Sequence, residues 1–98
     1  MALPNTVNVI GRQYTICYDK SLETLLGQCN PDTLAIIIKP GQQLAIEVDT
    51  VLHEVVHAID IGMQLSMSER QVYCITAGLI AVLKSNPQFL DYLNEALT

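Results

Sequence analysis

Two rhythms divide the chain. Up to residue 39, apolar residues alternate or run in short β-branched stretches; beyond Pro40-Gly41 they recur every three to four positions. Residues 6–10 and 13–18 are rich in Val, Ile, Thr and Tyr and flank Gly11-Arg12, which predicts a β-hairpin. Residues 19–25 fit either a loop or one helical turn. Residues 26–30 and 33–39 flank Pro31-Asp32 and predict a second hairpin, with Pro31 suited to the second position of a β-turn. The run of Leu34, Ala35, Ile36, Ile37 and Ile38 is the most strand-like in the chain.

From residue 42 to 61 the period is helical. At 100° per residue, Leu44, Val48, Val51, Leu52, Val55 and Ile59 share one stripe. Asp49, Thr50, His53, His57 and Asp60 gather on the other side, and Gly62 is placed to end the helix. Residues 68–84 predict a second helix with Val72, Ile75, Leu79 and Leu83 on its apolar face. Ser85-Asn86-Pro87 predicts a cap with proline at the first helical position. It opens a third helix over 87–97, carrying Phe89, Leu90, Leu93 and Leu97. Its role is either to cap the two preceding helices or to lie across a cleft as a latency device. The expected fold is α+β: a small antiparallel sheet of about four strands followed by three helices, in one domain over 1–98.

Composition narrows the function classes. With 98 residues, half of them apolar and 15% charged, the chain can bury a core and is not disordered. Ten acidic against five scattered basic residues give a net charge of −5 and exclude a phosphate-binding surface, so no nucleic-acid partner is expected. The longest uncharged stretch, residues 71–83, is too short to span a bilayer, and no secretory signal precedes residue 6. Cys17, Cys29 and Cys74 form no CxxC and fit the reduced thiols of a cytosol.

One motif carries chemistry. His53-Glu54-Val55-Val56-His57 is HExxH, inside the predicted first long helix, and it contains both histidines of the chain. Random placement of two histidines and ten acidic residues gives this arrangement roughly two times in a thousand. Four-residue spacing puts both imidazoles on one face, a turn apart, where they can share a zinc ion. Glu54 projects about 100° away, beside the metal, where a general base must sit to take a proton from water. The competing reading is a solvated face on which His and Glu coincide.

A catalytic zinc site takes three protein ligands plus water, and no histidine remains. The third is expected to be Glu69, at the start of the next helix. Its competing role is a capping box through Ser66, but Ser68 with Gln71 offers an equally good box. Asp60, above His57 on the same face, is either an acceptor for an imidazole N–H or an ordinary solvated carboxylate. Tyr73, one turn beyond Glu69, is either a donor to a developing oxyanion or the edge of a core. Cys74 points away from Glu69, and Cys17 and Cys29 read as small sheet residues.

The segment from Thr50 through HEVVH to Asp60 resembles the active-site helix of zincin metallopeptidases. Leu65 to Val72, with Ala77-Gly78-Leu79, resembles the glutamate helix of gluzincins. More narrowly, the chain is similar to small phage- and prophage-encoded zincin-like metallopeptidases of the ImmA/IrrE type. The gap between His57 and Glu69 is shorter than in most gluzincins, and the lower lobe that frames their cleft is nearly absent. The resemblance implies a zinc metalloendopeptidase acting on a peptide or protein in the cytoplasm, of a bacterial host if phage-borne. Substrate would lie extended along the edge of residues 34–38. The alternative is a zincin-like binding or structural module that zinc staples together. A homo-oligomer or an assembly partner fits either reading.

Overall fold

A computed structural model describes residues 2–98. The chain forms β1 (Thr6–Val9), β2 (Arg12–Tyr18), β3 (Gly27–Asn30), β4 (Ala35–Ile38), then α1 (Leu44–Met63), α2 (Glu69–Ser85) and α3 (Pro87–Leu97). This is the α+β class expected. The first hairpin closes through Ile10-Gly11, both at positive φ (51° and 80°), so its turn twists with the strands it joins. Asn8 Oδ1 accepts the Gly11 N–H at 3.1 Å. The second turn is held by Asn30, whose Oδ1 accepts the N–H groups of Asp32 and Thr33. Residues 19–25 form a loop, and Lys39 Nζ donates to the Glu23 carbonyl within it.

The sheet is mixed, not antiparallel throughout. Its order is β1-β2-β4-β3, with β4 parallel to β2 and antiparallel to β3. The second hairpin therefore docks on β2 by its later strand. Composition explains why: β4 is Ala-Ile-Ile-Ile, whereas β3 is Gly-Gln-Cys-Asn. An interior strand is covered on both sides and suits continuous apolar residues; an edge strand faces water and tolerates polar ones. This overturns the expectation that residues 34–38 offer a free edge beside the helix. That edge is β3.

One face of the sheet carries the core. Tyr14 and Ile16 on β2, Ile36 and Ile38 on β4, and Val9 on β1 are buried with Ala58 of α1. Val51, Val55 and Ile59 pack against them, but Leu44 and Val48, in the first turns of the same stripe, stay about half exposed. The residues α1 buries fully are Thr50, Glu54, Val56 and Ala58. The helix lies between the sheet and α2, so two contact faces replace the single stripe that periodicity predicts. Likewise α2 buries Val72 and Thr76, while Ile75 and Leu79 remain exposed. No helix among the described residues is long and apolar enough to cross a membrane.

Gly62 does not end α1. The helix continues to Met63 and closes at Gln64, a left-handed residue at φ 55°. The Leu65 N–H reaches back to the Asp60 carbonyl at 3.1 Å and Gln64 N–H to Ile61 at 3.3 Å, satisfying the terminal carbonyls. At the other junction Asn86 separates α2 from α3, with Pro87 at the first helical position as expected. α3 buries no residue and packs on α2 alone, so it neither covers a cleft nor caps both preceding helices.

The sheet core sets stability. Ile36 has no exposed surface, so Ile36→Ala should destabilise the protein by about 2–5 kcal/mol, combining lost transfer energy with an unfilled cavity. Urea denaturation measures this directly; a loss well under 1 kcal/mol would mean that β4 is not the centre of the core.

Candidate metal centre

The site is assembled where α2 begins. His53 and His57 sit one turn apart on α1, ring centroids 4.8 Å apart and planes at 69°. Glu69, the first residue of α2, reaches both: Oε1 lies 2.6 Å from His53 Nε2 and Oε2 2.9 Å from His57 Nε2. The turn that returns the chain is tightly specified. Gln64 and Ser66 are both left-handed, and Asp60 Oδ1 accepts the Met67 N–H at 3.0 Å. Ser68 then caps α2, its hydroxyl accepting the Gln71 N–H while the Gln71 side chain accepts the Ser68 N–H. This is the second of the two capping boxes read from the sequence, and it leaves the Glu69 carboxylate free.

The donor set suits a metal ion. Among the described residues, His53, His57 and Glu69 form a group whose ligand atoms all lie within 4.8 Å of one another. Two imidazoles and a carboxylate are borderline donors of the kind zinc takes, at about 2.0–2.2 Å each. Tetrahedral ligands at such lengths stand roughly 3.3 Å apart; the 2.6 and 2.9 Å contacts, made to different oxygens of Glu69, lie inside that spacing, and the group as a whole spans no more than 4.8 Å. The Glu69 side chain is 70% exposed, which leaves a side of the cluster open to an incoming group.

Glu54 lies beside this cluster and is 7% exposed. Burial pushes its carboxyl up to about 7; His57 opposes the shift and Glu69 adds to it. What covers it is β3. A Cβ built on Gly27 would fall 2.7 Å from Thr50 Cγ2, 3.2 Å from Glu54 Cγ and 3.3 Å from Glu54 Oε2, so only glycine lets the strand lie this close. The same strand entry is tied to α1 through Gln42. Its Nε2 donates to the carbonyls of Leu26 and Lys39, and its Oε1 faces the Thr50 hydroxyl at 2.9 Å.

The cluster opens on a cleft of about 250 Å³ lined by Leu25, Leu26, Gly27, Asp49 and Tyr73 as well as by His53, Glu54 and Glu69. Tyr73 stands in its wall, 60% exposed, and is not the edge of a core. Asp60 is neither of the two things expected of it: its hydrogen bond goes to Met67 N–H, so it shapes the turn that delivers Glu69. Cys29 is half-buried near Glu54 and Tyr14, its thiol pushed up to about 11 chiefly by burial, which makes it inert. Cys17 and Cys74 are exposed and stand outside the cluster. Sequence reasoning missed Gly27 and Gln42, and read Thr50 only as part of a polar helix face. Gly27, opening a short strand, was the available signal for close backbone approach.

Comparison with known protein families, characterised proteins and solved structures returns no match to this chain.

The buried carboxyl has a consequence for stability. Its folded pKa lies above its unfolded value, so between about 4.5 and 7 the native state holds a proton that the unfolded chain releases. Its contribution is fully present below about 4.5 and is lost as pH rises through about 7. With a chelator present, Glu54→Gln should therefore raise stability at pH 8 by roughly 1–3 kcal/mol and change little at pH 4. Urea melts at the two pH values decide it; an equal effect at both would mean the carboxylate is not penalised by burial.

Proposed function

We propose that this protein is a zinc-dependent metallopeptidase that hydrolyses peptide bonds. The observation that carries the reading is the convergence of Glu69 on both imidazoles of HExxH, with Glu54 buried alongside. His53, His57 and Glu69 would hold the ion. When bound, zinc supplies Lewis acidity toward water and a carbonyl oxygen. Glu54 would then take the proton from the attacking water and pass it to the leaving amine. Tyr73, in the cleft wall, is the side chain to donate to the carbonyl oxygen as negative charge develops.

The substrate lies extended along β3, the sheet edge that borders the cleft. Leu25 and Leu26, both about half exposed at the entry to that strand, favour apolar substrate side chains. A module in which zinc only staples the fold has no use for a base. Burying Glu54 costs stability, and general-base chemistry gives that burial a purpose.

Two measurements test this reading. Native mass spectrometry should find one zinc per chain. His53→Ala should abolish it, and Glu69→Ala should weaken it by more than the roughly 10–100-fold typical of a lost supporting hydrogen bond. Unchanged affinity in Glu69→Ala would remove it as a ligand. On a quenched-fluorescence peptide library, Glu54→Gln should keep zinc yet lose about 10²–10⁴-fold in turnover. Equal turnover by both proteins would take Glu54 out of the mechanism.

A further inference from the structure

The chain exposes more surface than its mass warrants. A folded monomer of 10.8 kDa has about 5,500 Å² of accessible surface; this one has 6989 Å². The excess, about 1,400 Å², exceeds the roughly 800 Å² that each partner contributes to a standard interface. Its radius of gyration is 13.7 Å, against about 12.6 Å for this length. The excess comes from particular places. α3 touches only α2 and buries nothing, leaving Phe89 and Leu90 about half exposed and Leu97 82% exposed. On the outer flank of α1, an apolar groove of about 390 Å³ runs between the chain's N-terminal segment and the helix, lined by Leu3, Pro4, Leu44, Val48, Leu52 and Val55.

We propose that α3 of one copy of this chain lies in the α1 groove of a second copy, reciprocally, making a two-fold dimer. The two elements match in length: α3 has 11 residues and the groove spans Leu44 to Val55, each about 16 Å at 1.5 Å per residue. They match in chemistry too. At 100° per residue Phe89, Leu90 and Leu97 flank Leu93, which is half-buried against α2, and leave an apolar ridge exposed, while Asp91 and Glu95 fall on the far side. The charged residue in the groove, Glu47, already accepts the Tyr18 hydroxyl at 2.8 Å. An apolar ridge in an apolar groove is a helix-in-groove contact, and two-fold symmetry makes it twice. A second copy is the economical occupant because this chain carries both halves. Val48 and Leu52 sit on the side of α1 away from His53 and His57, so the dimer leaves the cleft open.

Copies that each carry −5 repel, so the dimer should tighten with added salt. A basic partner in the groove would instead be released by it. Sedimentation equilibrium of the full chain, from low micromolar to several hundred micromolar, should show a reversible dimer. Val48→Glu and Leu90→Lys each alter an exposed side chain, and circular dichroism checks that both stay folded. Each should weaken association by at least about ten-fold. Mixing the two variants is the decisive arm. One intact α3 then meets one intact groove, and in the other contact the introduced lysine meets the introduced glutamate, so the mixture should dimerise more tightly than either variant alone. Wild type that stays monomeric throughout would overturn the proposal. So would a dimer indifferent to both substitutions, or one that mixing does not restore, since an α3-to-α3 contact predicts no rescue.

Discussion

Glu69 reaching back from one helix to two imidazoles of another is the contact on which the arrangement of this protein depends. It ties the first residue of α2 to the middle of α1, while Val72 and Thr76, both buried, seat the body of that helix. The contact is possible because the turn before it is built to deliver it. Two left-handed residues, Gln64 and Ser66, reverse the chain, and Asp60 holds the Met67 amide. Neither left-handed residue is glycine, so the turn is held in a disfavoured conformation by its surroundings. In return, three side chains from two elements that could together hold a metal ion meet at one point.

The second constraint is a carboxyl group kept nearly out of water. Glu54 is buried because β3 passes directly over α1, and β3 can do so because Gly27 has no side chain. Gln42 and the Thr50 hydroxyl hold that strand entry against the helix. A hydrophobic residue at position 54 would serve the core better. Instead the fold accepts a group whose charged form is destabilised, next to a cluster of metal donors. Local packing that is poor for stability and moves a carboxyl's pKa toward neutrality marks a candidate functional site.

Because β3 is the edge strand, the unpaired backbone next to the cleft belongs to a polar, glycine-led segment, not to the isoleucine run of β4. The isoleucines are consumed by the core. The chain's remaining apolar surface therefore lies elsewhere, on the outer flank of α1 and along α2 and α3. A domain this small has one sheet face and one helix with which to bury its apolar half, and of the three helices only α1 packs on the sheet.

Local pattern by itself determined the elements and the candidate metal ligands. Alternation and β-branching mark the strands, the 3.6-residue period marks the helices, Ser68 with Gln71 and Pro87 mark two helix starts, and the spacing of His53 and His57 places both imidazoles on one face. These are properties of neighbouring residues, so they can be read along the chain. Tertiary structure alone decided what depends on distant partners. The order of the strands put β4 inside and β3 at the edge. The approach of Gly27 buried Thr50 and Glu54 on a side of α1 that reads as polar. Gln64, not Gly62, ended the helix, because the closing carbonyls and the Asp60 side chain were placed for it there. Each of these outcomes is set by which surface another part of the chain happens to cover, and periodicity along one segment holds no record of that.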